Sequence, residues 1–460
     1  MGVSCSQPHK MMGSFVNNLG WITVQRSESG VPARDPRLSS WTGPICISAM
    51  LCRLLSLTVT LALLARAADP LPVSTPEAEG FSSDRFQRVY DLVEGTVREG
   101  RHAGASVLVA RNGKIVGWKT FGSRDLGSGK PMEKDTLFRI YSMSKVVTGV
   151  AVLQLVERNR INLDSPVATW LPELKGLQVL TGGTAGNPVL VPATNMVTVR
   201  MLLNHTAGFT YDFFAGSPVH ELYKKADLWN SKDLTEFIGR VSRLPLIAQP
   251  GVAYNYSISD DILGLLVERV SGMSFGEYVQ RNITSPLGLR DTGFRVPGSE
   301  RGRIASLHEF RDGRLATTAP LLGVYPEPGR GIESGGAGLF STIGDYARFA
   351  QCLLDGGALD GKRILGRKTV ELARMNTLPP GVHAFNAADG WGLFSAVRMD
   401  PAAAGEAVSE GTFFWSGAAT THFFVDPREK VVGLVFCQHV PFDQHGLFTR
   451  FRTAVMQALE

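Results

Sequence analysis

Apolar residues at Phe86, Val89, Val93 and Val97 recur at the spacing of one helix face, so Phe81 to Gly100 predicts an opening helix, with Ser82 or Ser83 available to cap it. Two β-rich runs follow, Ala105–Arg111 and Lys114–Phe121, joined by Asn112-Gly113, a strong hairpin signal because both residues tolerate positive φ. Strand patterns then return only near the end, at Gly392–Met399, Thr412–Trp415, His422–Val425 and Val431–Cys437, before an amphipathic stretch from Leu447 to Leu459. Between them, over about 142–375, the patterns are mainly helical: Lys145–Glu157, Thr198–Asn204, Leu234–Val241, Ser259–Val270, Phe275–Ile283 and Ile343–Leu354. Strands at both ends with helices between predict an α+β fold, in which the halves of one sheet meet late and a helical lobe is inserted between them. The Pro/Gly-rich stretches 182–192 and 326–338 read as loops inside a single domain, 76–460, which contains no internal repeat.

With 44% apolar and 19% charged residues, the 460-residue chain has material for a large core and lacks the composition of disorder. The formal charge of +5 matters only through its location. Residues 1–68 hold six basic and two acidic side chains, which leaves +1 on the remainder. A near-neutral body without a basic stripe excludes nucleic acid as the expected partner and favours a small neutral substrate.

The basic N-terminal part has its own explanation. Met50-Leu51-Cys52-Arg53, an apolar run from Leu54 to Leu64 and Ala65-Arg66-Ala67 together form the pattern of a cleavable signal peptide, 50–68. That run is about half the roughly 20 apolar residues of a membrane span, so export to the periplasm or medium is expected, without a stable anchor. Since a signal peptide must be N-terminal, translation is expected to start at Met50, with 1–49 an upstream extension lacking ordered structure. Met1-Gly2-Val3-Ser4-Cys5-Ser6 also fits a myristoylation pattern, but that conflicts with export. Cys5, Cys46 and Cys52 fall in segments that would be removed. Cys352 and Cys437 remain and read as small buried hydrophobes, their pairing left open. No Cys/His cluster has zinc-site spacing, and no metal or cofactor is expected.

Ser142-Met143-Ser144-Lys145 opens the helical run to Glu157, and residues three apart share a helix face, so Ser142 Oγ and Lys145 Nζ can converge. A serine hydroxyl attacks only when a nearby base takes its proton, and the helix N-terminus favours the developing alkoxide. Alone, the tetrapeptide reads first as a capping serine with a solvated lysine.

The sequence around it carries a resemblance. Ser142-Met-Ser-Lys145, then Val-Val-Thr-Gly-Val and Asn162-Leu-Asp-Ser-Pro-Val, resembles the active-site helix of serine β-lactamases, D,D-peptidases and their esterase relatives. Four further stretches are similar in the same order: Leu202–Gly208, Pro250–Ser257, Gly335–Thr342, and Phe414–Ala418 ahead of Phe424–Pro427. The similarity spans roughly Pro76 to Leu459. It implies a β-lactamase/transpeptidase-like fold, an antiparallel sheet flanked by helices plus a mainly helical lobe, with the active site between them.

The resemblance also implies roles. Ser142 would be the nucleophile, Lys145 its partner base and Tyr256, chosen over Tyr254 by the family's spacing from Pro250-Gly251, the proton shuttle. The backbone N–H groups of Ser142 and Ala418 would form the oxyanion hole, worth roughly 3–4 kcal/mol. Where penicillin-recognising relatives carry Lys-Thr-Gly, this chain has Trp415-Ser416-Gly417, and Ile258 stands where β-lactamases often hold Asn. Both departures point away from a β-lactam carboxylate and toward a neutral ester, as in the carboxylesterase branch, the family VIII esterases.

Three other features compete for attention. Gly272-Met273-Ser274-Phe275-Gly276 fits the nucleophile elbow, but helical residues precede it where the elbow needs a strand, and Ser274-Phe-Gly-Glu277 reads as a capping box. His205, His422 and His439 read as structural. Phe209, Tyr211, Phe213 and Phe214 form an aromatic cluster that suits either a substrate pocket or the core, and Phe209 and Tyr211 are counted among the candidate substrate contacts. The expected function is hydrolysis of short-chain or small neutral carboxylic esters through an acyl-enzyme. The alternatives are a β-lactamase or D,D-peptidase, and a non-catalytic binding protein on the same scaffold.

Overall fold

The computed structural model describes residues 70–311, 313–322, 327–329 and 331–460. The expected start at Met50, the apolar run to Leu64 and Cys5, Cys46 and Cys52 lie outside the described residues.

Helix α1 (Ser83–Arg98) opens the fold, and the Ser82 side chain caps it by accepting from the Arg85 N–H. Strands β1 (Gly104–Arg111) and β2 (Lys114–Asp125) form the expected hairpin. Arg111 faces Lys114 across a two-residue turn in which Asn112 and Gly113 both have positive φ. Strand β3 (Lys130–Pro131) follows, then helices α2 (Ser144–Glu157), α3 (Ser259–Ser271) and α4 (Ile343–Leu354). The chain closes with β4 (Asp389–Trp391), β5 (Ala396–Arg398), β6 (Phe413–Gly417), β7 (Thr421–Asp426), β8 (Val431–Cys437) and helix α5 (Leu447–Met456).

These eight strands form one antiparallel sheet in the order β4-β5-β6-β7-β8-β1-β2-β3. The two ends of the chain therefore meet at β1 and β8, where Ala105 faces Cys437 and Arg111 faces Val431. Period-two alternation divides β1 between two cores. Ala105, Val107 and Val109 pack with Phe86, Val93, Phe451 and Val455 of α1 and α5, whereas Leu108 and Ala110 join Val150, Leu153, Phe349 and Leu353 of α2 and α4. With helices on both faces, the central strands are buried at consecutive positions, which is why β8 reads as a continuous apolar run.

Strands are not confined to the chain ends. Gln178–Thr184 pairs with Asn187–Pro192, and Leu307–Arg311 with Arg314–Thr318. The first ribbon occupies most of the expected 182–192 loop. Its mostly exposed faces and Gly182-Gly183 leave little apolar signal in the sequence. Of the run expected over Gly392–Met399, only Ala396–Arg398 is a strand. Gly392 approaches the Ala373 carbonyl so closely that a Cβ there would lie 2.1 Å from the oxygen, and the chain turns between β4 and β5.

Cys352 and Cys437 are both buried free thiols, and burial pushes the Cys352 thiol up to about 12. Among the described residues no helix is long and apolar enough to cross a membrane.

Candidate active site

Ser142 lies in a 3₁₀ turn, Tyr141–Met143, directly ahead of α2 rather than within its first α-turn. Tyr141 holds φ +42°, an unusual conformation for a residue with a Cβ, while its buried hydroxyl accepts from the Leu321 N–H at 3.0 Å. Three residues on, Lys145 is 1% exposed in a helix buried nearly all round. Its Nζ donates to the Ser142 Oγ at 3.4 Å, the Tyr211 hydroxyl at 2.9 Å and the Gly336 carbonyl at 2.7 Å. Three acceptors match the three N–H bonds of an ammonium group.

A buried ammonium requires compensating charge. It comes from the first turn of α3, where Asp260 and Asp261 are both buried and Lys145 acts on both electrostatically. Burial holds both carboxyls above the usual carboxylate range, Asp260 well above it, and Lys145 opposes this shift in each. The Asp261 Oδ1 accepts from the Ser334 hydroxyl and, at 3.1 Å, from the Gly336 N–H. Asp260 Oδ2 lies 3.5 Å from His205 Nε2, and burial, with Lys145 nearby, keeps His205 well below the usual imidazole value. Sequence reasoning missed these two acids. Their signal was two adjacent carboxylates opening an otherwise apolar helix, which also describes ordinary N-terminal acids facing the helix dipole.

Of the two competing tyrosines, Tyr256 reaches the lysine, whose Nζ stands 4.8 Å from its ring centroid. Tyr254 packs instead against His205, Trp391 and Phe385. The lysine's hydrogen-bonded phenol, however, is Tyr211, expected only as a substrate contact. Burial and the neighbouring Tyr256, Asp261 and Asp260 hold Tyr211 well above the usual phenol range, so it is protonated at neutral pH.

Aromatic rings wall the lysine on two sides. Trp415 of β6 lies 5.3 Å from Tyr256, 4.4 Å from Trp391 and 5.4 Å from Phe385, which stacks on it. On the other side Phe213 stacks on Tyr211 at 4.6 Å and touches Phe214. The outer rings are open to solvent: Phe213 and Phe385 are each 56% exposed and Phe214 is 40% exposed.

Strand β6 brings the remaining expected residues alongside the nucleophile's turn. A Cβ at Gly417 would lie 2.3 Å from the Ile140 carbonyl oxygen, so only glycine lets the strand approach this closely and set Ala418 beside the turn that carries Ser142. Ser416 Oγ lies 2.8 Å from His422 Nδ1. Because Arg452 donates to His422 Nε2 at 2.9 Å, Nδ1 carries the imidazole proton and donates to Ser416. His422 is thus structural, as expected.

Two expected substrate contacts lie elsewhere. Phe209 and Ile258 are fully buried in the main core and so offer no side-chain surface to a ligand. Ser274 caps the helix Phe275–Val279 by accepting from the Glu277 N–H, and α3 precedes it where a nucleophile elbow needs a strand. A cavity of about 880 Å³, bounded by Gly276, Glu277, Leu289, Arg295, Arg348 and Lys362, has none of Ser142, Lys145, Tyr211, Tyr256 or Trp415 in its lining. Among the described residues no group of His, Cys, Asp or Glu is arranged to hold a metal ion.

Comparison with known proteins adds three findings. The family model described as Beta-lactamase matches residues 89–454. Esterase EstB of Burkholderia gladioli is 31% identical over 387 residues, covering 79% of this chain and 92% of its own, and Protein Rv1367c of Mycobacterium tuberculosis is 32% identical over 362 residues, covering 76% and 90%. Among solved structures, EstCE1, described as a hydrolase with promiscuous acyltransferase activity, superimposes with a TM-score of 0.69 at 26% identity, covering 82% of this chain and 98% of its own.

Proposed function

Because the chain belongs to the beta-lactamase family, a family of serine hydrolases in which its relatives include esterases and acyltransferases, we propose that it is a carboxylesterase acting through an acyl-enzyme on Ser142. The observation that carries this reading is the buried Lys145, whose Nζ meets the Ser142 hydroxyl and the Tyr211 phenol while Tyr256 lies against it.

In the proposed reaction Lys145 first gives up one proton to solvent, and the free amine so formed takes the Ser142 hydroxyl proton as the oxygen attacks the ester carbonyl. The tetrahedral oxyanion sits between the Ser142 and Ala418 N–H groups. Tyr256, with Lys145, returns the proton to the alkoxide, the alcohol departs, and water hydrolyses the acyl-enzyme by the same steps in reverse. Trp415 and the neighbouring rings favour a neutral, apolar ester over the anionic β-lactam or peptide that Lys-Thr-Gly relatives hold. The open aromatic rim at Phe213, Phe214 and Phe385 also supports a second reading, capture of the acyl group by an organic alcohol instead of water.

Turnover of p-nitrophenyl acetate against nitrocefin tests the proposal. A large preference for the ester is expected, and preference for nitrocefin would assign a β-lactamase instead. Loss of all turnover in Ser142→Ala is the control against a binding protein on the same scaffold. Adding a primary alcohol distinguishes hydrolysis from transfer by the ratio of acid to new ester.

A further inference from the structure

Asp261, wholly buried at the start of α3, collects two hydrogen bonds from a single turn of chain: the Ser334 hydroxyl and the Gly336 N–H both donate to its Oδ1. The same turn offers the Gly336 carbonyl to Lys145 Nζ at 2.7 Å. The turn is held from the other side as well, since Thr148, one helical turn beyond Lys145 on α2, donates to the Gly335 carbonyl at 2.7 Å. Its fit is close. A Cβ on Gly335 would lie 2.2 Å from the Asp260 carbonyl oxygen, and one on Gly336 would lie 2.7 Å from Asp261 Oδ2 and 3.0 Å from the Tyr211 hydroxyl.

We propose that Asp261 is a positioning residue for Lys145: it fixes the Gly335–Gly336 turn so that the Gly336 carbonyl takes one N–H of the lysine, leaving the other two aimed at Ser142 and Tyr211. A lysine side chain has four rotatable bonds and no shape of its own, so its head is located by what it donates to. The Gly336 carbonyl is the shortest of its three hydrogen bonds and the only one to backbone. Asp261 is suited to the task because an acceptor-only carboxylate can take both donors of the turn at one oxygen while its charge faces the buried ammonium.

The inference rests on the function proposed above only in taking Ser142 as the nucleophile. Its test separates geometry from charge. Asp261→Asn keeps an oxygen able to accept from Ser334 and Gly336, whereas Asp261→Ala removes the acceptor. The readouts are the rate at which a fluorophosphonate labels Ser142, followed by mass spectrometry, and kcat and KM for p-nitrophenyl acetate. Asp261→Ala is expected to slow labelling and lower kcat by about 100-fold with KM nearly unchanged, the scale of a lost hydrogen bond to a charged group, and Asp261→Asn to recover most of that loss. Ala labelling at the wild-type rate, or Asn as slow as Ala, would overturn the proposal. If Asp261→Ala does not fold, Ser334→Ala removes one of the two hydrogen bonds, with labelling expected about five-fold slower; unchanged labelling there counts against the proposal equally. Failure of the wild-type protein to label at Ser142 would bring down the esterase reading instead.

Discussion

The Tyr211 hydroxyl lies 2.9 Å from Lys145 Nζ, whereas Tyr256 presents the same ammonium with its ring, 4.8 Å from the centroid. The lysine therefore has two phenols, one bound to it and one beside it. Tyr256→Phe is expected to lower kcat by roughly 10²- to 10⁴-fold, the contribution of a general acid-base group. Tyr211→Phe should cost about 10- to 100-fold, the loss of one charge-assisted hydrogen bond. The reverse ranking in steady-state kinetics would make Tyr211 the shuttle.

Ser142 and Ser274 make opposite predictions. Ser142→Ala is expected to abolish ester hydrolysis and phosphonate labelling while keeping the thermal midpoint. Ser274→Ala removes a helix cap, so it should keep kcat and lose about 1 kcal/mol of stability in denaturant unfolding. Activity surviving the first change but not the second would move the site.

The open rings predict specificity. Phe385 stacks on Trp415 and Phe213 on Tyr211, so a flat apolar group can continue either stack. Phe385→Ala and Phe213→Ala are each expected to raise KM for 1-naphthyl acetate about three- to ten-fold, the value of one aromatic pair, with ethyl acetate little affected. Equal changes for both esters would indicate general disturbance of the cleft.

Acid should weaken the fold through its buried histidines. Burial, reinforced by His439 and His445, lowers His102 to about 3, and His205 and His422 also lie well below the usual value. In the unfolded chain each takes up a proton near 6.5, so below that pH the unfolded state binds more protons and stability falls as pH drops. The loss approaches about 1.4 kcal/mol per pH unit for each such histidine. Raised Asp260 and Asp261 oppose it, because the folded state protonates those two first. The comparison that isolates the effect is the thermal midpoint at pH 7 and pH 5: His102→Gln should show a smaller drop than wild type, and an equal drop would refute the assignment.

The N-terminal pattern makes a separate prediction. Export with cleavage after Ala65-Arg66-Ala67 would leave a secreted product beginning near Ala68. N-terminal sequencing of natively expressed protein checks it, and a secreted chain retaining Met1 would refute both the cleavage and the start at Met50.

Much of the fold was legible because its signals are local. The Asn112-Gly113 turn, the Ser82 cap, the β8 run and the three-residue separation of Ser142 and Lys145 follow from backbone geometry within a few residues. The two exposed ribbons were harder to read, since strands with little buried face leave little periodicity.

What the sequence by itself determined was which residues share a strand or helix face, and so that Ser142 and Lys145 meet. Which groups complete the lysine's surroundings was decided by tertiary structure alone: Tyr211 is 66 positions away, Gly336 is 191, and Asp261, on α3, is linked to it through the Gly336 turn. The same holds for burial, where Phe209 is sealed in the core while Phe213, four residues on, is exposed to solvent. The physical reason is common to both cases. Periodicity fixes direction relative to a residue's own backbone, whereas burying an ammonium or exposing a ring depends on which distant elements pack against it.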